Sequence, residues 1–312
     1  MVRAAVLHEH GAAPRCGEFS DPEPGPGQVV VEVEAAALHH LDLHKASGTF
    51  YMGPPPLPSV VGTDGVGRLP DGRRVFFDVT VAPYGSMAER SLVPEGALID
   101  VPEPLDPAIA AALGNTGLGG WLAVTWRSGL EPGETVLVLG ATGAVGTIAT
   151  QAAKLHGAGR VVAAALADER LPGLEGADAT IAIDEVDDLT EAIRAAAGGG
   201  VDVVIDTLWG EPALAAMRAA NRFARHVEVG QLAATEIALP APLIRSISLD
   251  IRGFSIAHPP IELRREAFAQ LCHHVGAGEI AVDVERVPLA DVHTAWERQR
   301  QAAGGPKLVL LP

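Results

Sequence analysis

The stretch TVLVLGATGAVG (135–146) constrains this chain more than any other. An uninterrupted apolar run enters a glycine-rich turn, and a helix-favouring segment, AVGTIATQAAKLHGA (144–158), leaves it. A short apolar run bounded by turn residues reads as a strand covered on both faces. The turn Gly140-Ala141-Thr142-Gly143-Ala144-Val145-Gly146 has the spacing of a dinucleotide-binding loop, with Ala141 at the first small position. In such a loop the first small residue permits the tight turn. Gly143 lets the backbone approach a pyrophosphate, and Gly146 lets the helix close on the sheet. The helix N-terminus adds N–H donors and a partial positive charge.

The alternation continues downstream. RVVAAAL (160–166) reads as a strand, LTEAIRAAA (189–197) as a helix, VDVVID (201–206) as a strand, PALAAMRAAN (212–221) as a helix and HVEVG (226–230) as a strand. Continuous apolar strands alternating with helices indicate a parallel sheet covered on both faces. IELRREAFAQLCHHVGAG (261–278) reads as an amphipathic helix whose His273 and His274 face solvent, and GGPKLVLLP (304–312) as a closing strand. The first hundred residues are different in kind. VVVEVE (29–34) alternates, DPEPGPG (21–27) is a turn, and GPPPLP (53–58) is a rigid loop. This is the punctuation of an antiparallel β domain.

With 312 residues, the chain has room for about two domains. Its 39 acidic and 23 basic residues give a formal net charge of −16. That excludes a general attraction for phosphate backbones or anionic membranes, so neither nucleic acid nor a membrane is expected as partner. Two uncharged runs, 107–126 and 135–153, are long enough to question as membrane spans. Both are interrupted by glycines and polar residues and read as buried core. Two cysteines, Cys16 and Cys272, build no disulfide framework, and the N-terminal segment lacks a long apolar stretch. A cytoplasmic protein is expected.

The ribose of a bound dinucleotide is read at the end of the second strand, near Ala165. An acid there would accept from the 2′-hydroxyl of NAD, but Ala165 and Leu166 carry none. Asp168 and Arg170 follow. A missing carboxylate removes the repulsion of a 2′-phosphate, and Arg170 could pair with one, so NADPH is expected over NADH.

These features together resemble the medium-chain dehydrogenase/reductase superfamily, in its zinc-free quinone oxidoreductase branch. AALHHLDLHKASG and PPPLPSVVGTDGVG, within 36–67, resemble the substrate-domain signature of that branch. GLEPGETVLVLGATGAVGTIATQAAKLHGA (129–158) resembles its cofactor turn, and VDVVIDTLWG, HVEVG with Gly230, and GGPKLVLLP its remaining landmarks. The resemblance implies an α/β fold in two domains. One is a doubly wound parallel-sheet dinucleotide-binding domain of the Rossmann type, over 118–257. The other is a β-rich, partly open barrel (GroES-like) substrate domain, over 1–117 and completed by 258–312. It also implies a homodimer formed by extending the cofactor sheet, with SISLDIRGFSI (246–256) as the edge strand.

His39, His40 and His44 crowd together, with Asp42 among them and Asp64 downstream, so composition alone allows zinc. Set against the zinc-dependent alcohol dehydrogenases of the superfamily, His39 replaces a cysteine ligand, and Thr63 and Asp64 replace a ligand histidine and its neighbouring glutamate. Leu41 replaces the hydroxyl residue of the proton relay, and no thiolate lies near Gly114 and Asn115. No metal is expected. Bare hydride transfer suits quinones and α,β-unsaturated carbonyls, whose developing oxyanion needs only hydrogen-bond donors. The resemblance puts His39, where the branch often has a pocket asparagine, His44 and Tyr51 around that acceptor. Asp42 is expected to cap a helix, and His40 to point away. The expected function is an NADPH-dependent reductase of a small-molecule electron acceptor. The alternatives are a zinc-dependent alcohol dehydrogenase and an NADPH-binding sensor or structural protein without turnover.

Overall fold

In the computed structural model, which describes residues 1–50, 53–301 and 304–312, the chain starts as short strands around one helix. In order these are β1 (Val2–Leu7), β2 (Arg15–Phe19), β3 (Gln28–Ala37), α1 (His40–Ala46), β4 (Ser59–Val60), β5 (Gly65–Arg68), β6 (Arg74–Phe77), β7 (Arg90–Pro94) and β8 (Ile99–Asp100). β3 is the expected alternating strand: Val31 and Val33 are buried and Glu32 is exposed.

A helical stretch, Pro107–Arg127, then leads out of this region. Its regular parts are α2 (Pro107–Ala112), opened by the Asp106 side chain accepting from the N–H groups of Ala108 and Ile109, and α3 (Leu118–Leu122). By length and composition it could cross a membrane, yet 83 % of its most apolar window lies inside the molecule, as the core reading required. The helix kinks at Gly114, whose ψ is −118°. A Cβ there would lie 2.2 Å from the Phe76 ring and 2.9 Å from Asp64 Oδ2. The kink is therefore the price of bringing a helix this close to those two side chains.

The alternating segment follows as β9 (Thr135–Leu139), α4 (Ala144–Leu155), β10 (Arg160–Ala165), β11 (Ala179–Ala182), α5 (Leu189–Ala197), β12 (Val201–Asp206), α6 (Gly210–Ala219), β13 (Ala220–Glu228), α7 (Ala241–Ile247) and β14 (Asp250–Gly253). The strands form one parallel sheet in the order β11-β10-β9-β12-β13-β14, the doubly wound arrangement. Both faces are covered. Val136 and Val138 of β9 pack into one apolar cluster with α3, α4 and α8 (Ile261–Gly276), while Leu137 and Leu139 pack into another with α5 and α6. That is why the run carries no polar alternation.

After α8 the chain adds β15 (Val284–Pro288), α9 (Val292–Gln301) and β16 (Lys307–Leu311). β16 returns to pair antiparallel with β3, matching Leu310 to Ala36, inside a mixed sheet of order β15-β16-β3-β5-β6-β8 with β7 on β3. β2-β1-β4 make a third, small sheet. The division expected at residue 117 falls within the kinked helical stretch, and that at 257 falls between β14 and α8.

Several local expectations need adjustment. α4 stops at Leu155 because Gly157, at φ +85°, turns the chain. Only Asp250–Gly253 of the expected edge segment is strand; its front is the end of α7, closed by Ser248 at φ +52°. β13 begins six residues before His226, and β11, β15, α7 and α9 carried too little local pattern to be read.

Candidate functional site

β9 and β12 are neighbours at the point where the strand order reverses, so a crevice opens beyond their carboxyl ends. The glycine turn lies there. Gly140 has φ +76°, and a Cβ on it would stand 2.1 Å from Thr207 Oγ1, just past β12. A Cβ on Gly146 would stand 2.2 Å from the Gly140 carbonyl oxygen and 2.6 Å from Ala141 Cα, so only glycine lets α4 start this close to the turn. A Cβ on Gly143 meets only the Gly140 carbonyl oxygen, at 3.3 Å, among the described residues. The space above Gly143 is thus open on the side a phosphate would approach. Ala141 and Thr142 are buried beneath it, and Ala144 and Val145 begin α4 with Gly143 as N-cap. The first N–H groups of a helix have no intrahelical acceptor, so donors converge on the open space. Gly230 closes the far side, donating its N–H to the Asp206 carbonyl at 3.2 Å. The seven turn residues and Gly230 therefore gather at one edge of the sheet, and their arrangement fits a dinucleotide pyrophosphate.

β10 ends at Ala165, with no acid on the next two residues. Arg170 reaches back to the turn, its Nη1 donating to the Thr142 carbonyl at 3.2 Å. The rest of its fork is held by Asp168, through Nε at 2.9 Å and through Nη2. The guanidinium holds the Asp168 carboxyl below the usual range. Arg170 is therefore already paired, and a 2′-phosphate would have to displace Asp168 to use it.

The histidines do not converge. His39 precedes α1, and its backbone N–H donates to Asp42 Oδ2 at 2.8 Å, the expected capping contact. Its ring is 4 % exposed, and both nitrogens are engaged. Nε2 lies 2.7 Å from Asp64 Oδ1, and Nδ1 lies 2.7 Å from Lys307 Nζ. His39 is thus the middle of a buried chain of three. The Gly114 kink supports its far end, because it turns the Asn115 N–H to Asp64 Oδ2 at 2.8 Å. A second chain runs beside it, from Lys45 Nζ to Thr63 Oγ1 at 3.0 Å and on to Asp42 Oδ1 at 2.6 Å. His40 does not point away. It opens α1 half-buried, and burial together with the nearby Lys307 charge lowers its pKa. His44 is exposed on α1. Tyr51 lies outside the described residues.

The sequence reading missed Lys307, whose signal was a lone charge inside an apolar closing strand. It also missed Asp206, wholly buried, which accepts from the N–H groups of Leu208 and Trp209 and meets His226 Nε2 at 2.8 Å.

Zinc does not fit this donor set. Among the described residues no three His, Cys, Asp or Glu side chains converge to hold a metal. The one imidazole at the position spends Nδ1 on a lysine ammonium, whose charge repels a cation. Cys16 lies in β2 and Cys272 in α8, both apart from it.

Residues 144–275 match the zinc-binding dehydrogenase family. The chain is 27 % identical to an alcohol dehydrogenase of Geobacillus stearothermophilus over 99 % of this chain and 98 % of that one. It is 31 % identical to the quinone oxidoreductase-like protein 2 of Mus musculus over 80 % of this chain and 74 % of that one. Among solved structures, the quinone oxidoreductase of Thermus thermophilus, also solved with NADPH, matches with a TM-score of 0.85 at 31 % identity, covering 99 % of this chain and 100 % of that one.

Proposed function

The chain belongs to the quinone oxidoreductase branch of the medium-chain dehydrogenase/reductase superfamily, and on that footing we propose that it reduces quinones or α,β-unsaturated carbonyls with NADPH, without zinc. The observation that carries the reading is the open space above Gly143 at the carboxyl edge of the parallel sheet. The turn residues 140–146 hold the pyrophosphate, and Arg170 exchanges Asp168 for the 2′-phosphate. When bound, NADPH supplies a hydride from C4 of its nicotinamide. The protein's part is then to stabilise charge on the acceptor oxygen. His39 serves it by turning Nε2–H from Asp64 towards that oxygen, with Lys307 behind the ring. Zinc independence rests on the same contacts, which leave the imidazole no lone pair for a cation.

Parallel calorimetric titrations with NADPH and NADH test the cofactor, and loss of reduced-nicotinamide absorbance across a panel of quinones, enones and simple alcohols tests the acceptor. Tight NADPH binding with quinone or enone turnover is expected. Binding of neither nucleotide refutes the reading, and alcohol oxidation that chelators abolish returns it to the zinc enzymes. The exposed edge of β14 supports a homodimer formed by sheet extension, which light scattering measures.

A further inference from the structure

β16 carries a charge into an otherwise apolar strand: Lys307 is 6 % exposed between Leu308 and the turn before it. Its Nζ donates to the Leu38 carbonyl at 2.7 Å and meets His39 Nδ1 at 2.7 Å. An ammonium has donors only. Nδ1 must therefore accept, which leaves the proton of His39 on Nε2, where Asp64 Oδ1 accepts it. The Asn115 N–H on the other oxygen keeps that carboxylate in place. We propose that Lys307 is a positioning residue for the reduction: it selects the Nε2–H tautomer of His39 and refills the ring when His39 gives up its proton. This rests on the reading of His39 as the group that serves the acceptor oxygen.

The step balances. The hydride adds to the acceptor and leaves an electron pair on its oxygen. The Nε2–H bond of His39 breaks as the O–H bond forms. An Nζ–H bond of Lys307 breaks as the Nδ1–H bond forms. His39 stays neutral, and Lys307 becomes an amine. It regains a proton from water through the cavity of about 330 Å³ that it lines with Thr142, Ala144 and Gly305. Burial lowers the Lys307 pKa to about 8, against the pull of Asp64 and Asp42. A proton donor works best with a pKa near the operating pH. The groups that face Lys307 are His39, His40, Asp42 and Asp64 on one side. Glu169, Arg170, Glu175 and Asp283 line the cavity on the other.

Nitrogen-15 NMR of histidine-labelled enzyme, with His39 assigned by its loss in His39→Gln, reads the tautomer directly. The wild-type ring should be Nε2–H below pH 8 and change above it, as Lys307 loses its charge. Lys307→Arg should keep the Nε2–H form above that pH yet lower kcat, because a guanidinium holds the tautomer but gives no proton to the ring. Lys307→Met should mix the tautomers and lower kcat at least tenfold. A wild-type tautomer indifferent to pH overturns the proposal even if Lys307→Met fails to fold, and so does an unaltered tautomer in Lys307→Met. Wild-type kinetics in His39→Gln instead refute the role of His39 in reduction and leave the tautomer result standing on its own.

Discussion

Gly143 and Gly146 differ by one helical turn, and the structure separates what each does. Adding one methyl at Gly146 puts a carbon 2.2 Å from the Gly140 carbonyl oxygen, where ordinary contact begins at 3.4 Å. The start of α4 must then retreat from the turn by about 1.2 Å, and neither neighbour is a flexible side chain. Overpacking of this kind costs about 1–3 kcal/mol of stability. A displacement near 1 Å at a positioning element costs on the order of 100-fold in function. The same methyl at Gly143 meets only the Gly140 carbonyl oxygen at 3.3 Å, and Gly143 has φ −77°, which any residue adopts. Gly143→Ala should therefore unfold in urea like the wild type, while its methyl stands where the pyrophosphate comes closest. We expect Gly146→Ala to lower both the urea midpoint and NADPH affinity. Gly143→Ala should lower affinity alone, by about 2–3 kcal/mol, or roughly 30- to 150-fold in Kd. Calorimetry and denaturant curves on the same preparations decide it. A well-folded Gly143→Ala that binds NADPH as the wild type does would show that the phosphates do not approach this turn, and the site would have to be sought elsewhere.

Gly114→Ala forces a carbon to 2.2 Å from the Phe76 ring and 2.9 Å from Asp64 Oδ2, so it should lose about 1–3 kcal/mol in thermal unfolding and reduce turnover; an unchanged melting curve would mean the kink is not set by those contacts. Arg170→Ala should shrink the preference for NADPH over NADH by about tenfold, roughly the worth of one charge-assisted pair, and Asp168→Asn should widen it by freeing the guanidinium. Equal ratios in all three proteins would remove Arg170 from cofactor selection. Burial pushes the Cys272 thiol up to about 12, so it stays protonated at pH 8 and should resist a thiol reagent, whereas half-exposed Cys16 should react. One fast thiol in the native enzyme and two in denaturant is the expected titration; two fast thiols in native protein would contradict the packing of α8.

What could be read from the sequence was what local periodicity records. β12 and α5 were legible to the residue and β9 to within one, because each buries its pattern within its own span, and the turn was legible because its glycines answer contacts a few residues away. The histidine cluster was not legible in that way. His39, His40 and His44 are close in sequence, but one precedes α1 and the other two share a face of it, so crowding along the chain did not become convergence in space. Their partners come from elsewhere: Asp64 from 25 residues on and Lys307 from 268 residues on. The Gly114 kink depends on Phe76 and Asp64, neither of which a reading of 107–127 contains. The charge at the centre of the site is thus delivered by the last strand of the chain, and that strand also pairs with β3 next to His39. A pairing slip of one residue in β16 would turn Lys307 to the opposite face and leave His39 Nδ1 without its donor. The register of the closing strand therefore fixes the tautomer of a histidine at the other end of the chain, and the folding of the mixed sheet and the chemistry of the site depend on the same contacts.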